Sequence, residues 1–434
     1  MFRNHPRPAR AAILGLALLG CGTEATPNPH PRVDPHAEED ALAAAAAGRI
    51  LVKFRPSVAQ AGVPRFLAAR GLEEEPGWGN TLGRLGWRVL RARGGVAPRT
   101  ALVNLTTAPE VAEACLPTAM ARIAPVQATE GPAAEVTYND PLAPRQWAIA
   151  RINLARAHAR TEGTPRTLLA ILDTGIDPAH PDLRDDSGRS RVVLGRDWLK
   201  KTDNPVDGDS HGTHAAGIAA ASANNRTGIV GVAPRIHLLA EKVVSDYGYG
   251  DATSVSAGIV HAVDTGAHVL SMSLGSPTLS PLLRDAITYA QGKDVLVVAA
   301  MGNSGRNDLL YPAAMPGVMA VGATDEQDRK TSFSSYGNWI SVVAPGQGIM
   351  ALLPTFPNNS QEKGYGQKSG TSMATPYVAG LAALVADAQR GWSAAAIKAH
   401  LEHTAVPVGL GFSAEYGHGR IDAGRAIEAA YTRP

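Results

Sequence analysis

Residues 167–175 read TLLAILDTG, an apolar run that ends in an acid, a threonine and a glycine. A short run that is apolar throughout predicts a strand buried on both faces of a sheet. Similar runs follow along the chain, and segments with helical patterns separate them. These runs are HLLAEKVV (237–244), HVLSMSLGS (268–276), DVLVVAAMGNSG (294–305) and VMAVGAT (318–324).

Helix candidates lie between the runs, near 213–223, 253–266 and 280–291. The third begins with Ser280 and Pro281, a capping residue followed by the residue best tolerated at the first helical position. Strands that alternate with helices predict a three-layer α/β fold, a mostly parallel sheet with helices on both faces. Sites in such sheets lie beyond the carboxyl ends of the strands.

The composition is that of a globular protein. The chain has 434 residues, of which 44% are hydrophobic and 18% are charged, enough for one large core and a smaller one. The 41 basic and 39 acidic residues nearly cancel. This balance gives no indication of a nucleic-acid partner, and we expect a monomer that binds none.

Residues 1–21 are typical of an export signal, because arginines precede the apolar stretch 11–20 and Cys21. The apolar stretch is shorter than the roughly 20 residues of a membrane-spanning helix. LLGC (18–21) is similar to a bacterial lipoprotein signal, in which Cys21 would carry the lipid; the alternative is an ordinary signal with a chance cysteine. Both predict export to the cell envelope or beyond. With Cys21 lipidated, Cys115 is the remaining thiol and no internal disulfide can form.

Composition divides the rest of the chain into four segments. Residues 22–47 predict a tether, 48–130 a small α/β unit, 131–138 a turn-rich linker and 139–434 the domain of the apolar runs. In the small unit we expect strands at GRILVKFRP (48–56), WRVLRARG (87–94) and TALVNLTT (100–107), a helix at VPRFLAARG (63–71), and a helix followed by a strand at PEVAEACLPTAMARIAPV (109–126).

Two histidines lie three residues apart in GDSHGTHAAG (208–217), at the start of a small-residue helix. A catalytic zinc pair needs a third ligand and usually an acid on the same helix, as in HExxH. Gly212 and Thr213, between His211 and His214, supply neither. We therefore expect no zinc there, and consider whether one histidine carries protons instead.

Three chemically capable residues fall where the sheet predicts a site. Asp173 ends the first apolar run, His211 lies in the turn before a helix, and Ser372 opens the apolar helix in SGTSMATPYVAG (369–380). Singly, each has a structural explanation; a helix N-cap is the commonest use of such a serine. Together they form a nucleophile, a base that accepts its proton, and a carboxylate that holds the base in one tautomer.

Attack on a carbonyl group places negative charge on its oxygen, which needs hydrogen-bond donors already in position. Asn303, in AAMGNSG (299–305), follows an apolar strand and can direct its side-chain amide at that oxygen. The main-chain N–H of Ser372 can supply a second donor. The four residues together predict acyl transfer.

These residues lie in motifs that resemble those of the subtilisin-like serine proteases, and the order Asp, His, Ser is also that of the family. The motifs are DTGID (173–177), HPDL (180–183), HGTHAAG (211–217), GVAP (231–234), SMSLGS (271–276), GNSG (302–305) and SGTSMATPYVAG (369–380). The resemblance covers about 139–425. It implies a serine endopeptidase that acts on polypeptides without a catalytic cofactor. Asp173 then orients, His211 shuttles the proton, Ser372 attacks, Asn303 stabilises the oxyanion, and His214 is structural.

The resemblance also implies that the unit at 48–130 is an inhibitory propeptide, so that the protein is made as a zymogen. Such a unit assists folding and blocks the cleft of its own protease with its C-terminal tail. We expect cleavage near 130–138. If Cys21 is lipidated, that cut leaves the anchor on the propeptide and releases the protease.

The family holds its substrate as an added strand between two segments. SMSLGS, around Leu274 and Gly275, and YGYGD (247–251), with Gly248 and Gly250, match these segments, although a flexible turn is an alternative for the second. A pocket between Ser271 to Gly275 and 299–312 would take the side chain before the scissile bond. Leu310 stands where relatives often have glycine, so we expect small or apolar side chains there.

The resemblance further implies a structural calcium ion, which oxygen ligands suit. The residues matched to its site are Gln146, Asp182 and, in the loop ANNRTGIVG (223–231), Asn225, Thr227 and Ile229. The loop is one residue longer than the family's. The alternative is a turn closed by asparagine side chains.

Two other functions fit parts of the pattern. A catalytically inactive, surface-tethered peptide-binding protein would keep the cleft without the chemistry, and labelling of Ser372 by a fluorophosphonate would exclude it. A serine esterase would usually carry G-x-S-x-G, whereas the nucleophile here lies in GTSMA (370–374).

Overall fold

The computed structural model describes residues 46, 48–125 and 138–432. Within them the strands are β1 (Arg49–Phe54), β2 (Leu72–Glu74), β3 (Trp87–Ala92), β4 (Val111–Cys115), β5 (Ala119–Arg122), β6 (Leu168–Asp173), β7 (Val192–Asp197), β8 (His237–Lys242), β9 (Tyr249–Asp251), β10 (Val269–Met272), β11 (Leu274–Gly275), β12 (Leu296–Ala300), β13 (Met319–Thr324), β14 (Val342–Pro345), β15 (Ile349–Leu353) and β16 (Gly364–Lys368).

The α-helices of the described residues cover both faces of the main sheet and one face of the N-terminal sheet. They are α1 (Val63–Ala68), α2 (Gly79–Leu82), α3 (Pro98–Thr106), α4 (Trp147–Arg151), α5 (Leu154–His158), α6 (His211–Ala220), α7 (Ala252–Asp264), α8 (Pro281–Gly292), α9 (Thr371–Ala388), α10 (Ala394–Thr404) and α11 (Ala423–Thr432). None of these helices is long and apolar enough to cross a membrane.

The main sheet has seven parallel strands in the order β14-β13-β12-β10-β6-β8-β7. Because successive side chains of a strand point to opposite faces, each strand serves two cores. In β6, Leu169 and Ile171 pack with α6 and α9, whereas Ala170 and Leu172 pack with α7 and α8. The predicted three-layer α/β fold is confirmed.

Residues 49–115 form a four-stranded antiparallel sheet in the order β2-β3-β1-β4. Ile50 and Val52 of β1 face a small core with α1 and α3. Leu51, between them, joins Trp87 in the core that contains α7 and α8 of the main domain. The small unit therefore docks on the main domain through the outer face of its sheet.

Two predictions within the small unit were wrong. Residues 98–106 form helix α3 instead of a strand, with Pro98 at its start and Ala101 and Leu105 buried one turn apart. The threonines and valine of this segment favour a strand, but its buried residues follow the helical period. Residues 111–115 form strand β4 instead of a helix, because pairing with β1 satisfies their main chain.

Candidate active site

Asp173 and His211 form a buried hydrogen-bonded pair at the carboxyl end of the main sheet. Asp173 is the last residue of β6 and His211 the first of α6. Asp173 Oδ1 lies 2.7 Å from His211 Nδ1. A carboxylate that accepts the Nδ1 proton leaves Nε2 as the nitrogen that can take a proton from elsewhere.

Asp207 holds the turn that carries His211. Its Oδ1 accepts hydrogen bonds from Ser210 N–H at 2.9 Å and from the Thr174 hydroxyl at 2.8 Å. Its Oδ2 accepts from Thr213 N–H at 2.8 Å. The sequence prediction did not include Asp207. The one indication of it in the sequence is an acidic residue four positions before His211.

Ser372 and Asn303 lie on neighbouring segments. The Asn303 side-chain oxygen accepts hydrogen bonds from the Thr371 N–H at 2.9 Å and hydroxyl at 3.0 Å, which fixes the orientation of its amide. Its Nδ2 donates to the Ala124 carbonyl oxygen at 2.8 Å. The Ser372 hydroxyl donates to the Ile123 carbonyl oxygen at 2.8 Å. Both side chains therefore contact the same stretch of main chain.

That stretch is the tail of the small unit, which lies in the cleft as an added strand. β5 pairs antiparallel with β11 on one side and with β9 on the other. Ala121 pairs with Gly275, and Met120 pairs with Gly250. The two segments that sequence analysis matched to substrate binding thus hold residues of the same chain.

Consecutive tail residues bind both halves of the site. Arg122 contacts Asp209, two residues before His211, and Ile123 contacts Ser372. The N–H of Ile123 donates to Ser273 O at 3.0 Å. Since adjacent residues of an extended chain lie about 3.8 Å apart, the His211 turn and Ser372 flank one peptide.

Leu310 lies beside Gly275 and Gly302. A Cβ atom built on Gly275 would lie 2.6 Å from Leu310 Cγ, and one built on Gly302 would lie 3.4 Å from Leu310 Cδ2. Ser271 is buried inside β10, and its hydroxyl has no hydrogen-bond partner among the described residues. The serine that contacts the tail is Ser273, which sequence analysis did not single out.

The residues matched to calcium lie around the loop 223–231. Ile229 N–H donates to Asp182 Oδ2 at 2.9 Å, and Asn225 Nδ2 donates to Asp182 Oδ1 at 2.8 Å. Thr227 N–H donates to Asn225 Oδ1 at 2.7 Å. Gln146 differs from these residues. Its Oε1 accepts the Val230 N–H at 2.8 Å and its Nε2 donates to the Val230 carbonyl oxygen at 3.0 Å, so both atoms of its amide are used to hold the loop.

A second carboxylate, absent from the sequence prediction, borders this loop. Asp140 is buried and accepts hydrogen bonds from the N–H groups of Asn224 and Asn225 at 2.8 and 3.1 Å. Burial, together with the charge of Asp140, raises the pKa of Asp182 to about 7 against the hydrogen bonds it accepts. Two buried carboxylates that repel each other suit a cation.

His214, the second of the two histidines in GDSHGTHAAG (208–217), lies apart from the Asp173–His211 pair. His214 is fully buried in α6, and its Nε2 lies 3.3 Å from Gly366 O. Burial lowers its pKa well below the ordinary value. No cluster of three or more His, Cys, Asp or Glu side chains suited to a metal occurs within 48–125 or 138–432.

Comparison with known proteins gives a family match and several relatives. Residues 165–419 match the Subtilase family. The chain is 42% identical to thermitase of Thermoactinomyces vulgaris over 293 residues, 67% of this chain and 99% of thermitase. It is 42% identical to subtilisin Savinase of Lederbergia lenta, covering 64% of this chain and 96% of the relative. Fervidolysin of Fervidobacterium pennivorans, a keratinolytic enzyme related to subtilisin, matches with a TM-score of 0.77 and 26% identity over 88% of this chain and 61% of its own.

Proposed function

The chain belongs to the subtilase family and is a serine endopeptidase, and we propose that Asp173, His211 and Ser372 carry out its reaction on polypeptides. One observation carries this proposal. The turn that carries the buried Asp173–His211 pair contacts Arg122 through Asp209, and the Ser372 hydroxyl lies 2.8 Å from the carbonyl oxygen of the next residue, Ile123.

The proposed reaction assigns one step to each of these groups. The Ser372 oxygen attacks the carbonyl carbon while His211 Nε2 takes its proton, and the Asp173 carboxylate stabilises the resulting imidazolium. The Asn303 amide, released from the Ala124 carbonyl oxygen that it bonds in the tail, and the Ser372 N–H stabilise the oxyanion that forms at Ile123. His211 then gives the proton to the leaving amine, and a water molecule releases the acyl group by the same route.

We propose that residues 48–125 belong to an inhibitory propeptide and that the first cleavage falls between Ile123 and Ala124. The register supports this position, since Ile123 N–H bonds Ser273 and the Ile123 carbonyl bonds Ser372. The sequence prediction of 130–138 concerns a segment that lies largely outside the described residues. A cut there would be a second trimming step.

The side chain before the scissile bond is then that of Ile123, which is buried in the cleft. Leu310 packs against Gly275, whose partner in β5 is Ala121, two residues before Ile123, and this supports a preference for small or apolar side chains at that position. Peptides with arginine or lysine directly before the scissile bond would be poor substrates.

We propose that Asp140 and Asp182 hold a structural Ca²⁺, with oxygen atoms of the loop 223–231 completing its shell. The chemistry of the donors fits, because both carboxylates are buried and Ca²⁺ prefers oxygen ligands. Bound there, the ion would neutralise the two charges and fasten the loop. Asn225, Thr227 and Ile229 remain candidates, and the contacts of Gln146 favour a structural role.

The signal peptide of 1–21, the tether of 22–47 and a lipid on Cys21 fall outside the described residues and remain proposals. The arginines and the apolar stretch 11–20 support export of the protease. A monomer without a nucleic-acid partner remains an expectation.

A fluorophosphonate probe tests the proposed function directly. We expect the full chain, once it has processed itself, to hydrolyse casein and to gain the mass of one probe on Ser372. Release of casein fragments measures the hydrolysis, and intact mass spectrometry followed by peptide mapping locates the probe. Absence of labelling with a bound peptide still detectable would favour the inactive peptide-binding protein.

A further inference from the structure

One side chain of the tail reaches across the cleft to the turn that carries His211. Arg122 Nη2 lies 3.0 Å from Asp209 Oδ2, and the two side chains are 19% and 8% exposed. The Arg122 main chain is held as well, because its N–H donates to Gly248 O at 2.9 Å and it pairs with Leu274 of β11. Arg122 is therefore bound as a substrate residue would be.

We propose that Asp209 selects peptides with arginine or lysine immediately before the residue whose carbonyl is attacked. In the tail this position is that of Arg122, one residue before Ile123. The inference deepens the proposed function and rests on it, since it assigns a substrate preference to the same cleft.

Asp209 is positioned for this task by its other oxygen. Its Oδ1 accepts the His211 N–H at 3.0 Å, which fixes the carboxylate and leaves Oδ2 directed at the peptide. Burial raises the pKa of Asp209, and the charge of Arg122 opposes this more than any other neighbour does. A buried carboxylate whose strongest counter-charge comes from the bound peptide favours a cationic side chain in that peptide.

Gly248 makes room for the stem of that side chain. Its φ is +84°, and a Cβ atom there would lie 2.5 Å from Arg122 Cγ. A long side chain can therefore cross this residue on its way to Asp209. Small side chains would leave the carboxylate without a partner.

Neighbouring charges limit the expected preference for a cationic side chain at the position of Arg122. Arg122 and Asp209 line a cavity of about 320 Å³ with Lys368 and Asp246. Asp246 is already paired with Lys242 at 2.5 Å, whereas the cation of Lys368 offsets part of the charge on Asp209. We therefore expect a preference of about tenfold, typical of one charged hydrogen bond.

Two fluorogenic peptides test the inference on the full chain after self-processing. Both end in Ala-X-Ile before the reporter group, with X either arginine or citrulline, its neutral isostere. We expect kcat/KM to be about tenfold higher for arginine, and the ratio to approach one in Asp209→Asn. The asparagine oxygen can still accept the His211 N–H, so the turn is preserved. The control Asp203→Asn removes an exposed acid that lines a different cavity and should keep the wild-type ratio.

The outcomes separate the inference from the proposed function. Equal cleavage of the two peptides by the wild type overturns the inference alone, as does an unchanged ratio in Asp209→Asn. If that variant fails to fold, the wild-type ratio decides. Cleavage of neither peptide, with no fluorophosphonate labelling, overturns both.

Discussion

His211 Nδ1 lies 2.7 Å from Asp173 Oδ1 in a site where neither side chain is more than 1% exposed. Its other nitrogen, Nε2, has no hydrogen-bond partner among the described residues. The hydroxyl of Ser372 donates instead to the carbonyl oxygen of Ile123. The tail thus binds the Ser372 hydroxyl while Asp173 keeps His211 oriented. This is the state that we expect of the proposed zymogen before its first cleavage.

Replacing the nucleophile should stop maturation. We expect Ser372→Ala to fold, to remain at the mass of the uncut chain and to lose about 10⁶ in kcat, the value known for the family member subtilisin. Electrophoresis and intact mass read the processing. Ser187→Ala, which removes an exposed hydroxyl bonded to Asp185, should process normally. Cleavage of the Ser372→Ala chain between Ile123 and Ala124 at the wild-type rate would exclude the mechanism.

Removing the oxyanion donor should impair turnover more than binding. We expect Asn303→Ala to lower kcat by about 10² to 10³, again a value taken from subtilisin, with little change in KM. Thermal unfolding should shift only slightly, since the change leaves the Thr371 N–H and hydroxyl without their acceptor but creates no large cavity. Steady-state kinetics on one peptide measures both constants. A kcat within twofold of the wild type would remove Asn303 from the reaction.

Enlarging the pocket should change which side chain precedes the cut. We expect Leu310→Ala to raise kcat/KM for peptides with phenylalanine before the scissile bond relative to those with alanine, by about tenfold, because the wall beside Gly275 recedes. A pair of peptides differing at that residue gives the ratio. Leu309→Ala, which removes an exposed neighbour, serves as the matched control. The same ratio in all three proteins would place Leu310 outside the pocket.

The main sheet and the positions of the proposed reacting groups could be predicted because they follow one rule. Asp173 ends one buried apolar strand and Asn303 follows another, and parallel strands end at the same edge. His211 and Ser372 open helices that pack on those strands. At each of these four residues, the local sequence pattern and the position in the fold lead to the same placement at one edge of the sheet.

The sequence prediction was incomplete where side chains act through folded loops. Asp207 and Asp140 bind main-chain N–H groups that only a particular turn brings near them. The contacts of Gln146 were unpredictable for the same reason, since its partner Val230 lies far along the chain. Residues 98–106 were misread because their β-branched residues have a strand propensity that the packing of Leu105 overrides.

Removal of calcium should destabilise the chain. We expect a chelator to lower the Tm of the uncut Ser372→Ala protein by about 5 °C or more relative to the protein in excess Ca²⁺, because an ion bound only by the folded state stabilises it. The uncut background prevents self-digestion during the measurement. Asp140→Asn and Asp182→Asn should reduce this difference, whereas Asp203→Asn should retain it. A Tm unaffected by the chelator would exclude the ion.

The docking of the small unit should weaken in acid. Glu75 receives hydrogen bonds from Arg49 at 3.0 Å and from Lys201 of the main domain at 2.7 Å. Burial opposes its ionisation, but these bonds and one from Trp78 outweigh it and lower the pKa of Glu75 to about 2. A lowered pKa stabilises the folded state fully above the ordinary value, near 4.5, and this stabilisation is lost as the pH falls toward 2.

Comparing Glu75→Gln with its parent isolates this contribution from the other acids that titrate in the same range. In the uncut Ser372→Ala background we expect the variant to be less stable by about 3 kcal/mol at pH 6, with the gap closing between about pH 5 and pH 2. Thermal unfolding across that range measures the gap. Glu73→Gln, at a half-exposed acid in the adjoining strand β2, should show a much smaller one because water screens its pairing with Arg93. A gap that stays constant with pH would mean that the stabilising interaction does not depend on the charge of Glu75.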